Sequence, residues 1–170
     1  MRPLCIAVAA FVLLHTPQTA SACSCAGRPT PLQALQGADF VFAGRTLGES
    51  VMDLQGFIVT EFEVDRIWKG LDGESRVTLT QSYDSCTMIF EPLDEGYLVY
   101  GYVGPLHVFD ENNDDFVRTE EVYLQPSVCS RGGPLNRAAE DLEALGEPSI
   151  TSVNAILWAQ IKALPVAGWR

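Results

Sequence analysis

An apolar run from Leu4 to Leu14 follows a single Arg2 and gives way to the polar stretch His15-Thr16-Pro17-Gln18-Thr19, then to Ala20-Ser21-Ala22 and Cys23-Ser24-Cys25. Eleven apolar residues are too few to span a bilayer, and the small-residue triplet has the form of an A-x-A cleavage site. Residues 1–22 therefore read as a signal peptide. Cleavage after Ala22 makes Cys23 the first residue of the mature chain, with a free α-amine beside its side chain. Everything downstream is then expected to fold outside the cytoplasm, secreted or periplasmic, where disulfides persist.

A rival reading takes Ala20-Ser21-Ala22-Cys23 as a lipobox, with Cys23 lipidated and the protein held at a membrane. Such boxes usually carry Leu where Ala20 stands and follow the apolar run closely, whereas a polar, proline-containing spacer intervenes here. The cysteine count points the same way. Cys5 leaves with the signal, so Cys23, Cys25, Cys86 and Cys129 remain, an even set suited to two bridges. Lipidation of Cys23 would strand three.

Cleavage leaves 148 of the 170 residues, one domain by length and enough to bury roughly two-thirds of the unfolded surface. Without Arg2, ten Lys and Arg stand against twenty-two Asp and Glu, with no basic run. So acidic a chain is a poor partner for nucleic acid, and for an anionic membrane unless Cys23 is lipidated.

Hydrophobic periodicity predicts a mainly β protein. Pro31 to Gly37 has the length of a short helix, with Pro at its first turn and Gly at its end. Asp39 to Leu47 reads as a strand apolar on both faces at its start, and Gly44 suggests a bulge or bend. Phe57 to Trp68 alternates with a period of two, which places Ile58, Thr60, Phe62, Val64, Arg66 and Trp68 on one face. Arg76 to Ser82 is a further strand with Val77 and Leu79 facing in, and Gly96 to Gly104 is another, broken by Gly101. Leu106 to Phe109 and Phe116 to Leu124 flank a polar turn, Asp110 to Asp115. Five or six strands at these spacings suit a barrel or sandwich.

After Cys129 the texture changes. Leu135, Ala138, Ala139, Leu142 and Leu145 recur at helical spacing behind the Arg131-Gly132-Gly133-Pro134 breaker, and Gly146 and Pro148 stop the pattern. Ile150, Val153, Ile156, Leu157, Ile161 and Leu164 make a second helical pattern, interrupted by Asn154, Gln160 and Lys162. Residues 146–170 are thus expected to be a helical tail, amphipathic and laid over the domain instead of crossing a membrane.

A search for catalytic chemistry returns mostly absences. The mature chain has one histidine, His107, with no H-E-x-x-H or C-x-x-C spacing, so no intrinsic metal site or cofactor is expected. No G-x-S-x-G context supports a Ser-His-Asp triad. Asp110, Asn112, Asp114 and Glu121 follow the spacing of a calcium-binding EF-hand loop. Asp115 stands where Gly is needed, however, and the flanks read as strands, so an acidic hairpin tip is expected. The chain does not read as an enzyme.

Several stretches together resemble a known family. Cys23-Ser24-Cys25, Ala38 to Gly44, Phe62 to Gly70 ending in Trp68-Lys69-Gly70, Cys86, Gly96 to Tyr100 and Cys129 are similar in order and spacing to the netrin-like module. Within it they most resemble the N-terminal domain of the tissue inhibitors of metalloproteinases, over roughly residues 23–145. The resemblance implies a five-stranded, closed OB-like barrel with flanking short helices. It also implies the pairings Cys23–Cys86 and Cys25–Cys129, which would close loops of about 63 and 104 residues, each worth on the order of 4 kcal/mol. The animal inhibitors carry a third bridge from a cysteine just before the first strand, where this chain has Leu35-Gln36-Gly37, and a second disulfide-rich domain, whereas residues 146–170 here contain no cysteine.

The functional implication is inhibition of zinc metalloendopeptidases. The α-amine and carbonyl oxygen of Cys23 would chelate the protease's zinc in place of its catalytic water, while Ser24 enters the neighbouring specificity pocket. The partner is then a zinc metalloprotease. The alternative is a netrin-like module that binds another extracytoplasmic protein and inhibits nothing.

Overall fold

The computed structural model describes residues 25–84, 86–91, 96–110 and 115–151. Helix α1 (Pro31–Gly37) leads into strand β1 (Phe40–Thr46), followed by the short β2 (Val51–Met52), β3 (Phe57–Lys69) and β4 (Arg76–Ser82). Strands β5 (Gly96–Asp110) and β6 (Asp115–Pro126) form a long hairpin. The two-residue β7 (Gly133–Pro134), a 3₁₀ turn (Leu135–Arg137), α2 (Ala139–Leu145) and β8 (Ile150–Thr151) follow.

Local chemistry accounts for α1. Thr30 and Gln33 form a reciprocal capping box, each side chain bonded to the other's backbone N–H, and Pro31 stands at the first turn, where no donor is missed.

All ladders in the sheet are antiparallel, and β4, β3, β1, β5 and β6 succeed one another across it. The sheet is not closed into a barrel. Strand β4 lies near β6 without a ladder between them, so the expected closed barrel reduces to a strongly curved antiparallel sheet. Part of that curvature comes from β3. Val41, Phe42, Ala43 and Gly44 pair with Lys69, Ile67, Arg66 and Val64, so Trp68 and Asp65 are each an extra residue on the longer strand. Gly44 lies at one of these irregularities, where an added methyl would overlap the Glu63 carbonyl.

The bulges correct one expectation. Ile58, Thr60, Phe62 and Val64 are buried in alternation as expected, but the extra residue at Asp65 shifts the phase. Ile67, not Arg66 or Trp68, then joins the core with Val77 and Leu79. Trp68 faces the opposite side of the sheet, where Arg66 lies 5.3 Å from its ring.

Two apolar clusters result, one on each face of β1 and β5. The first is aromatic. Phe62 meets Phe42, Phe90 and Tyr97 edge-on at centroid distances of 5.4, 4.9 and 6.5 Å, and Val64, Ile67, Val77 and Leu79 complete it. The second is built from Ala34, Ala38, Val41, Leu98, Tyr100 and Ala138, with Leu142 and Leu145 against it, and it seats both helices on the sheet. The strand read as apolar on both faces is β1, buried from Phe40 through Gly44.

Further expectations are modified. Gly96–Gly104 and Leu106–Phe109 are one continuous strand, which changes partner at Gly101: β1 pairs up to that residue and β6 from it. The segment expected to be helical from Leu135 divides into the 3₁₀ turn and α2. Ile150, expected to begin a helix, instead pairs with Ile67 in β8, and Ser149 donates to the Ile67 carbonyl, so the start of the proposed tail belongs to the sheet. The remainder of that tail, 152–170, lies outside the described residues.

Candidate functional site: the N-terminal ridge

Residues 25–30 run along the surface before α1 and are mostly exposed. They are fixed at both ends. Cys25 is bridged to Cys129 with a Cα–Cα distance of 5.4 Å, closing a sequence separation of 104, as the family resemblance implied. At the other end Thr30 caps α1.

Cys86 is also disulfide-bonded. Its turn is set by side chains: the Cys86 N–H donates to the Asp84 carboxylate at 2.7 Å, and the Thr87 hydroxyl donates to the Ser82 carbonyl at 2.9 Å. The Gln81 amide exchanges two 2.8 Å hydrogen bonds with the backbone of Met88, which drops Phe90 into the aromatic cluster. The Cys23 half of the expected Cys23–Cys86 pairing lies outside the described residues, as do Ser24 and the signal segment.

Cys86 and Cys129 line the same groove, about 440 Å³ in volume, with Gln81, Asp84, Tyr102 and His107 among its other walls. Burial, and then the Asp84 charge, raises the Tyr102 phenol above its ordinary value. His107 is an exposed strand residue whose backbone carbonyl accepts from the Ser82 hydroxyl. Cys86 and Cys129 therefore lie in one groove, lined by residues of β4, β5 and β6.

Beneath the ridge lies a polar cluster that sequence reasoning missed. Arg131, two residues beyond Cys129, donates through Nε and Nη2 to the two carboxylate oxygens of Asp141 at 2.7 and 3.0 Å, and through Nη2 to Glu140 at 2.6 Å. Its Nη1 reaches the Pro29 carbonyl at 3.2 Å. The Tyr100 hydroxyl donates to Asp141 at 3.1 Å, and Asp141 is only 1% exposed. Burial, with the adjacent Asp141 carboxylate and the hydrogen bond to it, pushes the Tyr100 phenol far up, against an opposing effect of Arg131. The hydrogen bond to Asp141 likewise raises the Arg131 guanidinium, which stays charged. The signal in the sequence was Asp141 itself, an acid on the same helical stripe as Ala138 and Leu145.

The Trp68-Lys69-Gly70 motif also acquires a role. Trp68 Nε1 donates to the Gly146 carbonyl at the end of α2, at 2.9 Å. Lys69 Nζ donates to the Leu35 and Gln36 carbonyls at the end of α1, at 3.0 Å each, satisfying acceptors a helix terminus leaves open. Gly70, at φ +62°, packs so closely on Asp39 and Phe40 that no side chain fits. Three consecutive residues thus lock both helices and the start of β1.

Among the described residues there is no group of three His, Cys, Asp or Glu placed to hold a metal. Asp110 and Asp115 pair across the β5–β6 hairpin, so strands flank the EF-like spacing; its central residues, 111–114, lie outside the described set. Among the described residues no helix is long and apolar enough to cross a membrane. No protein-family model matches the chain, and no curated protein matches it significantly.

Proposed function

We propose that this is an extracytoplasmic inhibitor of zinc metalloendopeptidases of the netrin-like, tissue-inhibitor type, acting through the N-terminus that cleavage after Ala22 creates. The observation that carries the reading is the Cys25–Cys129 bridge, which ties an exposed segment beginning two residues after the expected cleavage point to the body of the sheet. Cys86, also in a disulfide, lines the same groove as Cys129, which supports a second tie through Cys23. The succession β4-β3-β1-β5-β6, with β4 lying near β6, supports an OB-type barrel that is partly open along that seam.

In this mechanism the protease zinc gives up its water to the α-amine and carbonyl oxygen of Cys23. An α-amine whose ordinary pKa is near 8 loses its proton to the metal at modest cost around neutral pH. Ordering the ridge in advance lowers the entropy lost on docking. Ser24 enters the pocket beside the zinc and fills little of it, so selectivity falls to adjoining loops. Acetylating the amine, or leaving one extra Ala before Cys23, is expected to abolish inhibition while the fold and the Cys25–Cys129 bridge persist. Equal inhibition by the extended and native forms would exclude chelation.

A second reading is a netrin-like module that binds a partner protein without inhibiting it. Leu47, Val51, Met52 and Leu54, all exposed around the β2–β3 hairpin, favour a protein contact there. A native form that inhibits no member of a broad zinc-protease panel would select this reading.

A further inference from the structure

Arg131 and Cys129 close the same loop. The bridge joins residues 104 apart, and the Arg131–Pro29 hydrogen bond joins residues 102 apart, from Pro29 just inside the bridged loop to Arg131 just outside it. A second closure offset so little from the first adds little loop entropy of its own while both are intact. Its effect is on what the first closure leaves free, namely the direction in which the ridge leaves the surface. The disulfide sets the first point on the ridge, and the residues between it and the Thr30 cap of α1 can still turn about those two ends. The Pro29 carbonyl is a second point tied to the sheet, four residues on from the bridge.

The second point is also stiff. Arg131 is 8% exposed, and its Nε and Nη2 are taken by the Asp141 carboxylate. Asp141 in turn accepts from Tyr100 of β5. A planar fork held along one edge has its remaining Nη1 aimed in a single direction, and that direction is Pro29. Helix α2 and strand β5 thereby fix where the Pro29 carbonyl lies between the Cys25 bridge and the Thr30 cap.

We infer that Arg131 is a positioning residue: held by Asp141 and Tyr100, it sets the pose of the N-terminal ridge and keeps Cys25 beside Cys129 even when their bridge is open. Its part in inhibition rests on the function proposed above; its part in ridge geometry does not.

Two variants of the full chain separate these roles. Arg131→Lys keeps a cation for Asp141, but a single ammonium does not reproduce the fork that reaches Pro29. The triple variant Tyr100→Phe/Arg131→Met/Asp141→Leu removes the whole buried polar cluster without orphaning any member, a replacement that buried ion clusters often tolerate. The first readout is the equilibrium of the Cys25–Cys129 bridge with a glutathione buffer, followed on the peptides that carry those cysteines. Loss of the clamp is expected to make the bridge about tenfold easier to reduce in both variants, a shift of about 30 mV. The second readout is inhibition of a zinc protease that the native protein inhibits, expected to weaken about tenfold in both variants, as the loss of one ordering hydrogen bond implies.

An unchanged bridge equilibrium in a folded Arg131→Lys or triple variant overturns the clamp. A shifted equilibrium with unchanged inhibition retains the clamp and overturns its part in inhibition. If the native protein inhibits nothing, the proposed function fails, and the bridge equilibrium still decides whether Arg131 holds the ridge.

Discussion

The two faces of β1 and β5 are filled by opposite means. One face packs aromatic rings edge to face, with Phe62 fully buried among Phe42, Phe90 and Tyr97. The other packs small side chains, Ala34, Ala38 and Ala138, against Val41 and Leu98, and includes a buried ion pair reached by Tyr100. The aromatic face gains free energy from area removed from water, a non-directional effect that tolerates small shifts. The helical face brings helix backbones close to the sheet through its alanines, and it depends on directed hydrogen bonds from Arg131, Trp68 and Lys69 to place them. One face thus supplies bulk stability. The other determines where the helices sit and holds the Pro29 carbonyl of the ridge.

The sharpest break in this contrast is a cavity on the aromatic face. Phe62→Ala is expected to destabilise by about 3–5 kcal/mol, read as a loss in denaturant midpoint with the slope unchanged. A near-neutral result would mean that the ring cluster is not the main source of stability.

On the helical face the expected pattern is non-additive. Asp141→Ala alone removes the buried, bidentate partner of Arg131, leaves it only the exposed Glu140 carboxylate and should cost up to about 3–5 kcal/mol, whereas the triple replacement of Tyr100, Arg131 and Asp141 should cost far less. Additive losses measured by chemical denaturation would show that the cluster contributes net stability instead of direction.

A smaller effect is expected where the faces share backbone. A methyl on Gly101 would overlap both the Phe40 ring and the Gln125 carbonyl, at the residue where β5 changes partner. Gly101→Ala should cost about 1–3 kcal/mol through overpacking. An unchanged melting temperature would mean that the β5 crossover yields more readily than these contacts imply.

The smallest effect separates the faces by pH. The Tyr100 phenol is raised by burial and by Asp141 above its unfolded value of 10.0, so the folded state holds that proton longer. The associated stability is fully present below about pH 10 and is lost as pH rises beyond it. Tyr100→Phe should therefore flatten the alkaline decline, at a cost near neutral pH of about 1 kcal/mol for the hydrogen bond. Tyr102, also raised, contributes a remaining slope. An alkaline decline identical in Tyr100→Phe would place its source elsewhere.

Legibility in the sequence followed the range of the interaction. The α1 helix was readable because Pro31 and Gly37 punctuate its two ends within seven residues, and the Thr30–Gln33 capping box that closes its start is equally local. The edges of β4 and the two-sided burial of β1 were readable because a period of two is a local property. Trp68 was misplaced because a bulge at Asp65 is set by pairing with β1, and one extra residue reverses every later side chain. Ile150 fitted a helical stripe, yet it forms strand because the edge of β3 offered it backbone partners.

By itself, then, the sequence determined α1, β1, β3, β4 and the strand segments of the β5–β6 hairpin, the Gly44 irregularity and the cysteines available for bridging, all consequences of residue type and near-neighbour spacing, but not the short β2, β7 and β8 or the division of the stretch from Leu135. The pairing of Cys25 with Cys129 was an implication of family resemblance, since spacing alone leaves several connectivities open. Only the tertiary structure decided that the sheet stays open between β4 and β6, and that Asp141 turns inward to meet Arg131. Only there does the Arg131 guanidinium reach Pro29, 102 residues away. The physical reason is that burying a charge is unfavourable unless a partner arrives with the right geometry, and that partner is brought by the fold, not by neighbours in the chain.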